Sequence, residues 1–231
     1  FLAFVPAFYA IALRFARPDI AALVTFLGVA WSVPNNFASV PSWYNLFFAI
    51  YGTFALTRYI ETRHVRWLFL AGLLGGFSIL AKIVGLYYVA AVGLFIVFRE
   101  QDLAKCAVGE PRILSRSYFL LKASGLVFFI GLLIAMLRWR LGLMEIFHFV
   151  LPQVVICGVL LWNEWQEGHG RFSSRVEKLF RLLWPFGIGT VIPIAFFISV
   201  YLWTDSVGDL YRGTFVLPQK RLVNAAFDFP P

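Results

Sequence analysis

The residue with the clearest chemical potential in this chain is Lys82. It stands between two apolar runs, Trp67–Ala81 and Ile83–Phe98, with almost no loop between them. A cation at a membrane boundary is costly and usually has a partner. One reading of Lys82 is a contact with an anionic head group such as a lipid phosphate. The other is a snorkelling lysine that marks a helix end. Arg138, Trp139 and Arg140 form an aromatic–cationic cluster that fits interfacial anchoring. His64, His148 and His169 show no metal-ligand spacing, and His148, on an apolar segment, is read as a packed histidine. Cys106 lies in a basic loop and Cys157 within an apolar run, so neither a disulfide nor a metal pattern follows. No nucleophile elbow, P-loop or Gly-x-Gly-x-x-Gly occurs, which leaves soluble nucleotide chemistry without support.

These residues must be positioned by apolar helices. The chain is 61% hydrophobic and only 14% charged, where soluble domains carry roughly 45–50% and about 25%. The mean hydropathy is +0.79. Apolar segments fall at 1–13, 19–33, 41–57, 67–81, 83–98, 118–137, 145–162 and 182–203. In lipid the backbone groups must pair within the segment, and no strand-like alternation suggests a barrel, so all eight are predicted helices. The expected fold is an all-α polytopic transmembrane bundle of about eight spans over residues 1–203, followed by an extracytoplasmic tail over 204–231. Several segments have about 15 residues, roughly 22 Å at 1.5 Å per residue, against a hydrocarbon core of about 30 Å. Either the helices extend past their apolar cores or some stop early beside a cavity. The chain opens at Phe1 inside an apolar run and stops at Pro230-Pro231 in a polar stretch, so we expect a piece of a longer protein.

Net charge is +8. Nucleic acid or anionic lipid is one explanation; the simpler one is topogenic, because the basic residues are expected to fall in loops between spans. Fourteen of the 20 Lys and Arg residues lie on one set of loops, at Arg14 and Arg17, between Arg58 and Arg66, between Arg99 and Lys122, and between Arg171 and Arg181. Lys82, Arg138, Arg140, Arg212, Lys220 and Arg221 fall on the opposite side. The positive-inside rule puts the richer set in the cytoplasm. Gly72, Gly75 and Gly76 are spaced for close helix approach, and Pro152, Pro185 and Pro193 are expected to kink helices or mark their ends.

The run Ala71-Gly-Leu-Leu-Gly-Gly-Phe77, followed by Leu80, Lys82 and an apolar helix, resembles the polytopic GT-C glycosyltransferases, nearest to the dolichyl-phosphate-mannose protein mannosyltransferase-like and RgtA/B/C/D-like members. Upstream, Pro41-Ser-Trp-Tyr-Asn45 opens a helix ending in Thr57-Arg-Tyr-Ile-Glu61. Downstream, Pro193 to Tyr201 leads into Gly208-Asp-Leu-Tyr-Arg-Gly-Thr-Phe-Val216. The likeness runs in order over roughly residues 1–221. It implies an enzyme of the bacterial inner membrane that moves a sugar from a polyprenyl-phosphate carrier to an acceptor glycan, lipid or protein on the outer side. Such enzymes use an acidic motif in the first outer loop. No acidic pair stands in an outer loop before Lys82. The acidic residues of that face are Asp205, Asp209 and Asp228, with Glu145 at the boundary. The catalytic residue is therefore expected upstream of this chain.

Loss of a sugar leaves growing negative charge on the carrier phosphate, which positioned cations stabilise strongly in a water-poor site. Lys82, Arg212, Lys220 and Arg221, all on the outer face, are the expected donor-phosphate contacts; the two tail residues are equally readable as ordinary solvated charges. Asn35, Asn36, Trp43, Tyr44 and Asn45 flank the second outer loop. Ring faces stack on sugars and amides bond their hydroxyls, so these are the expected sugar or acceptor contacts; as caps and interfacial anchors they would serve structure alone. No cofactor, metal or nucleic-acid partner is expected. A transporter or lipid flippase is the alternative, disfavoured because charges are nearly absent from mid-span. A non-catalytic membrane subunit is the third.

Overall fold

The computed structural model describes residues 4–32, 41–105, 115–137, 142–167 and 170–217. Asn35, Asn36, Cys106, Arg138 to Arg140, His169, Lys220 and Arg221 lie outside the described residues. Among the described residues every regular element is a helix. In chain order these are α1 (Val5–Ala12), α2 (Pro18–Ser32), α3 (Pro41–Thr62), α4 (Arg66–Ala81), α5 (Gly85–Lys105) and α6 (Arg116–Leu137). They continue with α7 (Leu143–Glu145), a π-helical turn (Ile146–Val150), α8 (Leu151–Glu167), α9 (Phe172–Trp203), α10 (Val207–Tyr211) and a second π-helical turn (Arg212–Val216).

Helix starts follow backbone chemistry. Pro18 and Pro41 open α2 and α3, where a missing N–H costs nothing and the fixed φ suits the first turn. Pro152 follows the first π-turn directly: its ring removes the bond to His148, and the wider turn accommodates the loss. Pro185 and Pro193 do not end α9, which runs unbroken for 32 residues.

Among the described residues three helices are long and apolar enough to cross a membrane: Arg116–Ala135, Ile146–Gln166 and Phe172–Trp203. Pro18–Trp31 and Arg66–Ala81 are shorter apolar helices. The described chain is thus all-helical, and these helices suggest a membrane protein. Large apolar side chains such as Phe128, Phe196 and Trp203 are exposed on these helices, a surface suited to lipid and unusual in water. The predicted boundaries shift most at α9, which begins ten residues before the expected 182, and at α5 and α8, which run on to Lys105 and Glu167.

The core centres on α4, which packs against α3, α5 and α9. Ala55, Leu56 and Tyr59 of α3, Leu68 and Ala71 of α4, Val92 and Ile96 of α5, and Leu182 and Phe186 of α9 form one buried cluster. The glycines set the α4–α9 distance, as their spacing predicts. A Cβ on Gly72 would strike the Phe186 carbonyl, and one on Gly76 the Thr190 carbonyl and the Pro193 ring. The contact order, Gly72 with Phe186 and Gly76 with Thr190, makes α4 and α9 parallel. The C-terminal end of α9 therefore lies at the Lys82 end of the bundle. Leu94 of α5, Leu126 of α6, and Cys157 and Leu160 of α8 form a second, smaller cluster.

Candidate functional site

The four helices of this core carry polar groups at both ends. At one end, α4 stops at Lys82, whose backbone turns extended, and the Gly85 N–H donates to the Lys82 carbonyl at 2.8 Å to start α5. The antiparallel α3 brings its first turn to this corner. The Lys82 ammonium donates to the Ser42 hydroxyl at 3.1 Å, and the Asn45 amide reaches the Lys82 carbonyl at 3.5 Å. The buried Ser78 hydroxyl donates to the Asn45 amide oxygen. Asn45 thus ties α3 to α4 through both its polar atoms. An ammonium has three donors. Ser42 takes one, and the other two have no partner among the described residues. Lys82 and Tyr44 are exposed, and Trp43 and Asn45 half-buried.

Of the residues expected to act together, the structure therefore joins Lys82 with Asn45, and sets Trp43 and Tyr44 in the same turn. Ser42, not singled out by the sequence, supplies the side-chain bond. Arg212 lies in the second π-turn, exposed, in a segment packed on the end of α9. It occupies the same end of the bundle, but no bond links it to Lys82 among the described residues.

At the opposite end lies a cluster that sequence reasoning missed. Glu100 of α5, Lys122 of α6, Glu164 of α8 and Arg175 of α9 are all buried, with Glu100 at 0% exposure. Arg175 grips Glu100 through its Nε, and through a terminal nitrogen at 3.0 Å, and also reaches Glu164 at 2.9 Å. Lys122 pairs with Glu100 at 3.1 Å and with Glu164. The Gln101 amide donates to Glu164 at 3.1 Å and to the Leu160 carbonyl at 2.7 Å. Tyr118 forms one wall: Lys122 Nζ stands 4.8 Å and the Arg175 guanidinium 4.6 Å from its ring centroid. Two carboxylates and two cations cancel, so the tetrad is neutral. An apolar cavity of about 300 Å³ opens beside Tyr118 and Lys122, between α5, α6 and α9.

This arrangement corrects the assignment of Lys122 and Arg175 to loops: both sit inside helices and face carboxylates. The signal in the sequence was periodic. Glu100 continues the buried stripe Val92, Ile96, and Glu164 the stripe Cys157, Leu160, at helical spacing. A charge that extends an apolar stripe needs a buried counter-charge. His148 is likewise corrected. It is exposed rather than packed, and its Nδ1 lies 2.7 Å from the Met144 carbonyl one turn earlier.

Outside the apolar spans, Glu61 at the end of α3 pairs with Arg14 and, at 3.1 Å, with Arg58. The hydrogen bond from Arg14 holds the Glu61 carboxyl below its usual range. This links α1 to the α3–α4 turn at the end that also carries the tetrad.

Among the described residues no cluster of His, Cys, Asp or Glu could hold a metal ion. Comparison of the chain with protein-family models, with curated proteins and with solved structures finds no match. The site's own chemistry must therefore carry the functional reading. The Lys82 corner offers a cation with open donors beside an amide and two aromatic rings, on an exposed surface. The tetrad offers closed, mutually satisfied charges.

Proposed function

We propose that the chain is part of a membrane-embedded GT-C-type glycosyltransferase that takes a sugar from a polyprenyl-phosphate donor and passes it to an acceptor on the outer side of the membrane. In this reading the chain crosses a bacterial inner membrane about eight times, with the Lys82 end outward. The observation that carries the proposal is the corner itself, where the Lys82 ammonium is anchored by Ser42 yet keeps two donors without described partners. A phosphate placed there would take those donors. Trp43, Tyr44 and Asn45, one turn of α3, would offer ring faces and an amide to a sugar. Charge-assisted hydrogen bonds to a phosphate strengthen as the sugar leaves and charge grows. Arg212 would approach the same ligand from the end of α9, and no catalytic residue is assigned within the 231 residues.

The tetrad taken alone would favour a transporter, since buried ionisable groups between membrane helices often mark a transport path. Its charges cancel and its bonds close on one another, so we read it as a clamp between helices.

The test is transfer of labelled sugar from a polyprenyl-phosphate donor by the protein expressed from its full-length gene. Lys82→Ala should lower donor kcat/KM by about tenfold to a hundredfold, the worth of one or two charge-assisted bonds at roughly 1.5–3 kcal/mol. Lys82→Arg should recover part of the loss. Wild-type donor affinity and turnover in Lys82→Ala would remove the phosphate role. Absence of transfer by the wild type, with protein that binds no such donor, would remove the enzyme reading.

A further inference from the structure

At the tetrad end, one turn of α9 beyond Arg175, a second cavity opens between α3, α5 and α9. It has a volume of about 430 Å³, within the roughly 300–1,000 Å³ of small-ligand pockets. Its polar lining is Tyr59, Arg63, Lys178 and Arg181, and its apolar lining includes Leu103 and Leu182. Three cations line it, and no carboxylate lines it among the described residues. In the tetrad, by contrast, Arg175 and Lys122 each meet two carboxylates. Arg63 and Arg181 have no carboxylate partner among the described residues.

The backbone gives a second observation. Arg63 has φ 57°, in the left-handed region that favours glycine or asparagine after a helix end. Its N–H closes the last turn of α3 on the Tyr59 carbonyl at 2.9 Å. The turn thus delivers a guanidinium to the cavity from a position where a smaller residue would sit with less strain. Lys178 and Arg181, three residues apart, lie on one face of α9, with Leu182 beside them.

Like charges gathered in one hollow repel unless an anion neutralises them. Guanidinium groups match a phosphate group's oxygens in bidentate geometry. We propose that this cavity binds a phosphate group, held by Arg63 and Arg181 with Lys178 alongside. The site is distinct from the Lys82 corner and lies at the other end of the core. Basic pockets between membrane helices take lipid head groups, and Leu103 and Leu182 would meet the first carbons of such a lipid. A free phosphate ion shares the same recognition chemistry.

The experiment uses the full chain purified in a neutral detergent. Phosphatidylglycerol retention is read by native mass spectrometry, and stabilisation by inorganic phosphate is read from thermal unfolding with sulfate as the comparison. The variants are Arg181→Gln, at an exposed helical position, and Arg63→Gly, which keeps the left-handed backbone. The control is Arg17→Gln, an exposed cation paired with Asp19 at 3.4 Å. Each cavity variant should lose about tenfold in affinity, as expected for one charged hydrogen-bond donor, while the control stays within twofold. Variant-sensitive retention of phosphatidylglycerol without a phosphate effect identifies a lipid head group. A variant-sensitive shift with inorganic phosphate identifies the soluble ion. Wild-type binding of neither probe, or equal binding by both cavity variants and the control, overturns the proposal.

Discussion

Replacing Glu100 by glutamine tests the tetrad most directly. The substitution keeps shape and one acceptor oxygen but removes one of two carboxylates. Arg175 and Lys122, both buried, would then share Glu164 alone, leaving one net positive charge enclosed between four helices. Removing one partner of a buried ion pair costs about 3–5 kcal/mol, because the remaining charge is neither solvated nor matched. For a chain of this size about 1 kcal/mol moves the unfolding midpoint by roughly 2–4 °C, so the expected drop is about 6–20 °C. The assay is thermal unfolding of the purified chain in mild detergent, followed by tryptophan fluorescence, with Asp19→Asn as an exposed control. Adding Lys122→Met to Glu100→Gln restores neutrality with Glu164 facing Arg175 and should recover a large part of the loss. The reasoning fails if Glu100→Gln unfolds within about 2 °C of the control. It also fails if Lys122→Met adds a further full loss, since an uncompensated charge would then not be the cause.

Three further outcomes follow from the same structure. Gly76→Ala forces a methyl onto the Thr190 carbonyl and the Pro193 ring and should cost about 1–3 kcal/mol, while Gly131→Ala, with open space around it, should be neutral or gain up to about 1 kcal/mol; unfolding midpoints decide. Glu61, held below its usual pKa by Arg14, should stabilise the fold above the unfolded carboxylate value of about 4.3 and lose that contribution as pH falls through the lower folded value; Glu61→Gln should flatten this acid limb of stability against pH, and an unchanged limb would discard the linkage. In sealed vesicles, cysteines introduced by Tyr44→Cys and Asp209→Cys should react with an impermeant maleimide from the same side, and one at Arg17→Cys from the other; Tyr44 and Asp209 labelling from opposite sides would end the shared-face reading of the Lys82 corner and the C-terminal segment.

Much of the scaffold was legible because hydrophobic segmentation and helix chemistry are local. Each of the eight apolar segments overlaps one of the helices, and Pro18, Pro41 and Gly85 mark helix starts. The Gly72-to-Gly76 run announced a close helix contact, though which helix it met required the fold. What the sequence concealed was pairing across distance. Glu100 and Arg175 are 75 residues apart, and Lys122 and Glu164 are 42 apart. Charge counting puts Lys122 and Arg175 in loops, and Glu100 and Glu164 fall just past the apolar segments that end at 98 and 162. The run stops in composition but continues in burial, so α9 starts ten residues earlier than hydropathy suggests. Ser42 was invisible for the opposite reason: a lone serine carries no signal until Lys82 stands 3.1 Å away.

The two polar ends also differ in what they permit. Along α5, Glu100 lies 15 residues beyond Gly85, about 22 Å from the Lys82 corner at 1.5 Å per residue. Between them α4 and α9 approach closely at Gly72, Gly76 and Gly189, where an added Cβ would strike the facing backbone or the Pro193 ring. The tetrad joins α5, α6, α8 and α9 below that contact, and Asn45 joins α3 to α4 above it. Motion of α9 against both α4 and α5 would have to disturb the glycine packing and break buried ion pairs, the latter alone costing about 3–5 kcal/mol. A rigid core of this kind suits a site that must hold a cation still against an incoming anion. It suits poorly a transporter, whose cycle needs one half of the bundle to rock against the other. The tetrad therefore bears on the Lys82 corner indirectly: it ties α5, which starts just past Lys82, to α9, which packs against α4.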